Sequence, residues 1–223
     1  MPNIKERATA FLMARRAQRA IVTQREPLTP AVTRIRFSTE NALPWRSGQH
    51  IKCEIAPYTY RDYTLASWDA GSQTATLLLH TSHDGAGSQW VRSLLPGDTF
   101  RFAGPGGGQH QPTAAPHLVC LGDASALGHF QSLFLHCNLE QYFTAAIRTS
   151  QEDAHRLTEA LEMPVLALPA ASDLRPWLHA HGLSIQNTTF YLAGGNALVV
   201  QYRQHLKSMG VQGANVKAAG FWD

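Results

Sequence analysis

Three side chains close together in the sequence can bind a flat, phosphorylated ligand. Arg61, Tyr63 and Thr64 lie within one tetrapeptide. A guanidinium pairs with phosphate through its fork of donors, a tyrosine ring can lie along a flat heterocycle, and a threonine hydroxyl can reach a ring nitrogen. On a strand, Arg61 and Tyr63 point to one face and Thr64 to the other. An ordinary barrel strand with the same alternation remains the alternative.

A glycine-rich turn follows this segment. Gly85 and Gly87 precede a short helix that we predict over residues 88–95, which begins at Ser88. The free N–H groups at a helix start, together with the helix dipole, attract anions. Gly87 and Ser88 can therefore bind a phosphate, and one of them is the expected N-cap residue. A plain capped turn is the alternative.

A second candidate phosphate site lies in the other half of the chain. Gly122, Asp123, Ala124 and Ser125 follow an apolar strand and open a helix, which is where a dinucleotide pyrophosphate binds in α/β domains. The turn has no GxGxxG pattern, and Asp123 is unfavourable for phosphate, so binding would depend on backbone N–H groups and the dipole. Alternatively, Asp123 or Ser125 is only the N-cap of the helix.

Two more strand ends carry candidate nucleotide ligands. Arg148 and Ser150 follow the second strand of this half, where an acid suits NAD and an arginine accommodates a 2′-phosphate. This favours NADPH, although Glu152 lies close enough to leave NADH open. A solvent-exposed strand end is the alternative. Gly194 and Gly195 follow the fourth strand and allow a ligand to approach the backbone.

The first half of the chain predicts β structure. Apolar residues alternate around 33–37, 51–55 and 100–102, as in half-buried strands. Further strands are expected over 20–23, 60–67 and 74–80. Six short, closely spaced strands indicate an antiparallel barrel or sandwich.

The second half alternates strands with helices. Strands are predicted over 117–121, 142–147, 165–168, 188–193 and 215–219, and helices over 125–137, 152–161, 173–181 and 195–209. This order predicts a parallel sheet covered by helices on both faces. The Gly- and Pro-rich segment 103–116 is the expected linker. We therefore predict two domains, 1–112 and 113–223.

Composition excludes several classes of function. Only 16% of the 223 residues are charged and the net charge is +3, which argues against disorder and against nucleic-acid binding but suits a small anionic ligand. The cysteines form no CxxC pair, and no metal site is predicted. No apolar run is long enough to span a membrane, and residues 1–20 make a poor signal peptide but a plausible amphipathic helix or arm. We expect a cytoplasmic monomer.

Several motifs, taken in order, resemble a known family over about residues 17–222. The flavin domain of the ferredoxin–NADP reductase superfamily is similar in Ser47-Gly48-Gln49-His50, Arg61-x-Tyr63-Thr64, Gly85-x-Gly87-Ser88-x-Trp90, Pro96-Gly97-Asp98 and Gly104-Pro105. Within it, the turn from Gly122 to Leu127 and the ending Gly220-Phe221-Trp222 most resemble the siderophore-interacting proteins, which are flavin-dependent ferric-siderophore reductases.

The resemblance implies that FAD binds to the first domain. Arg61 and Ser88 would hold its pyrophosphate, Tyr63 would pack on the flavin, and Thr64 would form a hydrogen bond near the flavin N5 and be the catalytic residue. His80 would contact the adenine-side phosphate or ribose, although an exposed histidine at a strand end is an equal alternative.

The resemblance also implies a reaction. NADPH, or NADH, would bind to the second domain with nicotinamide near Gly194 and Gly195, and would deliver hydride to the flavin. Phe221 and Trp222 would cover the flavin face, although a C-terminal hydrophobic anchor is the alternative. Single electrons would then reach a bound ferric siderophore, which releases iron because hard oxygen ligands hold Fe(III) better than Fe(II).

Lys217 and Arg203 are candidates to attract that anionic substrate. The chain departs from the family at Ala219, where a lysine is usual, and at Ala66, where a second arginine is frequent. A general flavin or quinone reductase and a non-enzymatic flavin-binding electron-transfer subunit remain alternatives.

Overall fold

A computed structural model describes residues 13, 15–108 and 110–222. The chain divides into two compact units, Met1–Gln109 and His110–Asp223. The predicted N-terminal helix or arm falls largely on residues 1–12 and 14, which lie outside the described part. We keep 1–112 and 113–223 as the proposed functional domains.

The first unit is an antiparallel sheet with one helix. Its sheet order is β4-β3-β7-β1-β2-β6-β5, and the predicted antiparallel β-barrel is confirmed. Alternate residues such as Ile35, Phe37 and Phe102 point into one core. The elements are β1 (Gln18–Thr29), β2 (Val32–Thr39), β3 (Gln49–Ala56), β4 (Thr59–Thr64), β5 (Ser67–Asp69), β6 (Thr74–His80), α1 (Ala86–Ser93) and β7 (Thr99–Gly107).

The strand predicted over 60–67 is wrong as a single element, because the chain breaks it at Leu65 and Ala66. The Leu65 N–H donates to the Gln49 carbonyl at 3.2 Å, and the Ala66 N–H donates to the Thr76 carbonyl at 2.9 Å. At this break the chain passes from β3 to β6 and so connects the two edge strands of the sheet, β4 and β5. Both side chains are buried, so a simple alternation could not reveal the break.

The linker predicted over 103–116 is also wrong in its first half, because β7 continues to Gly107. Residues Gly106 and Gly107 pair with His50 and Gln49 of β3. Gly104 has a φ of +119°, and a Cβ there would lie 3.1 Å from the His50 carbonyl oxygen. Glycine at this position therefore permits the two strands to approach instead of interrupting them.

The second unit is a five-stranded parallel sheet in the order β10-β9-β8-β11-β12. The predicted α/β parallel-sheet domain is confirmed. Short 3₁₀ helices lie at Ala124–Ala126, Ala171–Asp173 and Gly213–Asn215. The main elements are β8 (His117–Gly122), α2 (Leu127–Phe134), β9 (Tyr142–Ile147), α3 (Gln151–Leu161), β10 (Val165–Ala167), α4 (Leu174–Ala180), β11 (Thr188–Gly195), α5 (Asn196–Ser208) and β12 (Val216–Trp222).

The strand order reverses between β8, the central strand of this sheet, and its neighbour β11. In open α/β sheets, ligands bind beyond the carboxyl ends of the strands at such a switch point. The turns after Gly122 and Gly195 lie there. Among the described residues, no helix is both long and apolar enough to cross a membrane.

Candidate nucleotide-binding sites

In the first unit, β4 places Arg61 and Tyr63 beside the amino end of α1. The two residues pair with Cys53 and Ile51 of β3, so they share one face of the strand. A Cβ on Gly87 would lie 2.6 Å from the Tyr63 hydroxyl and 3.8 Å from Arg61 Cγ. The fold thus brings three predicted site residues together, and a side chain at position 87 would displace the tyrosine.

Tyr63 also packs on Trp90 of α1. Their ring centroids are 5.9 Å apart and the ring planes differ by 9°. Burial raises the pKa of the Tyr63 phenol well above its usual range, so the phenol stays protonated. Trp90 carried the family resemblance but was not predicted as a site residue. Its position three residues after Gly87 on one helix face is the signal that could have found it.

Thr64 is the last residue of β4, where it pairs with His50. It is half-buried, while Arg61 is exposed and donates to the neighbouring Tyr60 carbonyl at 2.8 Å. The Thr64 hydroxyl therefore stands at the start of the crossing segment that joins β4 to β5. Its catalytic role stays a prediction.

Helix α1 begins earlier than predicted. Its N-cap residue is Gly85, in extended conformation, and no side chain caps it. The predicted N-caps Gly87 and Ser88 lie instead inside the first turn, because the Gly85 carbonyl already accepts the first helical bond, from Gln89. The N–H groups of this first turn have no acceptor within the helix, which suits an anion.

Ser88 and His80 meet at this helix start. Ser88 is buried, and its hydroxyl donates to the His80 carbonyl at 3.0 Å. The same hydroxyl lies 2.9 Å from His83 Nε2, while the His80 ring contacts the Ser82 hydroxyl at 2.6 Å. His83 was not predicted as a site residue.

In the second unit, Asp123 joins the two turns at the switch point. One carboxylate oxygen accepts the Ser125 N–H at 2.9 Å and the Ser125 hydroxyl at 2.5 Å, and the other accepts the Gly195 N–H at 2.8 Å. Asp123 is therefore the N-cap of the 3₁₀ helix that includes Ala124, as one alternative predicted. Gly194, at a φ of +120°, leaves room for the carboxylate, which a Cβ there would approach to 2.6 Å.

The C-terminal aromatic residues lie against the same turns. The Trp222 indole N–H donates to the Ser125 hydroxyl at 3.1 Å, and a Cβ on Gly195 would lie 2.9 Å from the Trp222 ring. Phe221 meets His129 edge-on, with centroids 6.0 Å apart. The second unit thus brings these predicted residues together, and their proposed role over the flavin stays a prediction.

The end of β9 lies next to the switch point. The backbone N–H of Arg148 donates to the Gly122 carbonyl at 2.9 Å, and its side chain is exposed. Ser150 is the N-cap of α3 and accepts the Asp153 N–H. Glu152, which left NADH open, forms an ion pair with Arg156 at 2.5 Å.

The two candidate substrate cations do not come together. Val216 and Ala218 of β12 pack on the cluster that includes Tyr202 of α5, so the α5 helix, with Arg203 exposed on it, covers that face of the sheet. Strand alternation sends Lys217 to the opposite face, where its charge acts on His110. The roles of Lys217 and Arg203 in attracting an anionic substrate stay predictions.

A buried histidine pair in this unit was not predicted. His110 Nδ1 and His129 Nε2 are 2.9 Å apart, and both residues are buried. Burial lowers the pKa of both imidazoles, that of His129 to about 3, and the nearby Lys217 lowers that of His110 further. Both rings are neutral at pH 7. The residues are far apart in sequence, so only the fold reveals the pair.

Comparisons with known proteins agree with this geometry. Residues 19–110 match the family described as the oxidoreductase FAD-binding domain. The chain is 19% identical to the siderophore-interacting protein from Acinetobacter baumannii, with a TM-score of 0.73 and coverage of 92% of this chain and 90% of that one. No match is found among curated proteins.

Two other solved structures have the same fold. A siderophore utilization protein from T. fusca is 22% identical over 93% of this chain and 92% of its own, with a TM-score of 0.73. A ferredoxin NADP⁺ reductase from Neisseria gonorrhoeae, solved with bound FAD and NADP, is 16% identical over 92% of this chain and 98% of its own, with a TM-score of 0.75. Residues 19–110 therefore match an oxidoreductase FAD-binding domain, and the chain has a ferredoxin reductase-like fold.

Proposed function

We propose that this protein is an FAD-dependent NAD(P)H oxidoreductase that reduces ferric siderophores and releases Fe(II). The observation that carries the proposal is the cluster of Arg61, Tyr63 and Gly87 at the uncapped start of α1, within the segment that matches the FAD-binding domain. The likeness in fold to a siderophore-interacting protein and to a siderophore utilization protein, over nine-tenths of each chain, supports the choice of substrate.

The residues present fit FAD. Gly87 leaves open the space that a side chain would fill beside Tyr63, and the first turn of α1 offers backbone N–H groups without a side-chain cap. Arg61 is exposed, so its guanidinium can turn from the Tyr60 carbonyl to a pyrophosphate. A cation, free N–H groups and an aromatic face are the donor set that a phosphorylated heterocycle needs.

The chain's own residues would bind and orient. Arg61 and the N–H groups at Gly87 and Ser88 would hold the pyrophosphate, Tyr63 would lie along the flavin, and the Thr64 hydroxyl would donate a hydrogen bond near N5. Bound FAD supplies the chemistry of taking two electrons from a nicotinamide and passing them on singly. The raised pKa of Tyr63 keeps an uncharged phenol in the site.

The second unit would bind the nicotinamide nucleotide at its switch point. The nucleotide would lie beyond the carboxyl ends of β8 and β11, against the turns that carry Gly122, Ala124, Ser125 and Gly194. The Asp123 carboxylate, and not a ligand, occupies the space beside Gly194. Asp123 would hold these turns in place, because its carboxylate is already bound to protein donors. Arg148, with Glu152 engaged elsewhere, would favour NADPH through the 2′-phosphate.

Anaerobic mixing tests the proposed reaction. Protein loaded with FAD should lose its flavin absorbance on addition of NADPH, and more slowly with NADH. Absorbance should then return on addition of a ferric hydroxamate or catecholate complex, with Fe(II) trapped by a ferrous-specific chelator. Reoxidation by FMN or quinone alone would instead indicate a general reductase. No loss of absorbance with either nucleotide would indicate an electron-transfer subunit.

Replacement of Arg61 tests the flavin site. Arg61→Ala should raise the Kd for FAD about 10- to 100-fold, because it removes a charge-assisted hydrogen bond to phosphate. Fluorescence titration of apoprotein with FAD measures this. Arg36→Ala is the matched control, since Arg36 is an exposed arginine of the same sheet that contacts Gln24. Equal Kd values for the two variants would remove Arg61 from the site.

A further inference from the structure

The loop between β6 and α1 places one histidine against two residues of the helix start. His83 Nδ1 accepts the Gly85 N–H at 3.1 Å, and His83 Nε2 lies 2.9 Å from the Ser88 hydroxyl. Because Nδ1 accepts, the neutral ring carries its hydrogen on Nε2. His83 therefore donates to Ser88, and Ser88 donates to the His80 carbonyl.

This chain of bonds connects the end of β6 with the first turn of α1 in the proposed FAD site. His80 ends β6, Ser88 lies in the first turn of α1, and the first turn carries the N–H groups that would face the pyrophosphate. The Ser88 hydroxyl bonds the first turn of α1 to the end of β6. Because the hydroxyl oxygen accepts the His83 Nε2–H, the hydroxyl hydrogen points to the His80 carbonyl.

We infer that His83 is a positioning residue of this site: it orients Ser88 and thereby sets the first turn of α1 for the pyrophosphate of FAD. The inference rests on the proposed function. It assigns no contact with the ligand to His83 itself.

The His83 ring can be removed without loss of the backbone conformation of the loop between β6 and α1. Arg92 of α1 donates to the backbone carbonyls of Thr81 at 2.7 Å and His83 at 3.1 Å. These two bonds hold the loop backbone whatever side chain occupies position 83. Substitution of His83 should therefore change the orientation of Ser88 more than the stability of the unit.

The two ring contacts can be separated by substitution. In His83→Asn, the side-chain oxygen lies near the former Nδ1 position and can keep the Gly85 contact only. In His83→Gln, the longer amide reaches the former Nε2 position and can keep the Ser88 contact. If orientation of Ser88 is the function of His83, glutamine should rescue FAD binding and asparagine should not.

FAD titration of these variants tests the inference, with urea denaturation as a check on folding. We expect His83→Ala and His83→Asn to raise the Kd for FAD about five- to tenfold, as for loss of one hydrogen bond, and His83→Gln to stay within about twofold of the unsubstituted chain. His83→Ala should add nothing to Ser88→Ala in the double variant. His179→Ala, an exposed histidine of α4, is the control.

Three results would overturn the inference while the proposed function stands: an unchanged Kd in His83→Ala, rescue by asparagine instead of glutamine, or full additivity with Ser88→Ala. If His83→Ala fails to fold, the comparison of asparagine with glutamine decides. Failure of the unsubstituted chain to bind FAD would refute the proposed function itself.

Discussion

Replacement of Asp123 by alanine should lower the free energy of unfolding by about 2–5 kcal/mol, as expected when buried donors lose their acceptor. The Asp123 carboxylate is the shared acceptor of the Ser125 and Gly195 N–H groups, one from each turn at the switch point. The side chain is 7% exposed, so water would replace it poorly. The turns after β8 and β11 would also lose the hydrogen bonds through which Asp123 holds them side by side.

Asp123→Asn should show an intermediate loss, because the carboxamide keeps one acceptor oxygen and turns an NH₂ group toward a backbone N–H. Urea denaturation followed by circular dichroism measures both variants. Asp153→Ala is the control: Asp153 is a half-buried acid in the first turn of α3, and its removal should cost less than about 1 kcal/mol. A loss in Asp123→Ala no larger than this would contradict the structural role of the carboxylate.

The second large effect is loss of stability in mild acid. His129 is buried, with a pKa lowered to about 3, first by burial and then by His110, whereas an unfolded histidine titrates near 6.5. The unfolded chain therefore binds more protons below pH 6.5. The stability that neutral His129 contributes is complete above that pH and falls as pH decreases. Between pH 8 and pH 5 the expected loss is about 2 kcal/mol from His129 alone.

The groups that face this pair offer no compensation. Lys217 adds positive charge beside His110. Burial raises the pKa of the nearby Tyr191 phenol, which therefore stays neutral. His129→Gln keeps a donor for His110 but cannot titrate, so its stability should fall less between pH 8 and pH 5. Urea denaturation at several pH values gives the difference. His179→Gln, an exposed histidine, should keep the original slope; an identical slope in His129→Gln would refute the assignment.

The local sequence pattern was sufficient to predict the folds of both units and part of the proposed FAD site in the first unit. Alternation in β2 and β3 reports a half-buried strand, and the apolar runs of β8 and β11 report a sheet covered on both faces, because each pattern depends only on which side of a strand meets solvent. For the same reason, Arg61 and Tyr63 could be placed on one face of β4. The glycine-rich turn before α1 could be located, although not its N-cap.

Only the tertiary structure decided which distant groups meet. Gly104 looked like part of a linker and is a place where two strands approach. Asp123 looked unfavourable for a nucleotide and is bound to Gly195 from another strand. His110 and His129 form a buried pair across separate segments. Periodicity indicates which face of a strand or helix is buried. The partner of a buried polar group depends on strand order and register, which the local sequence does not contain.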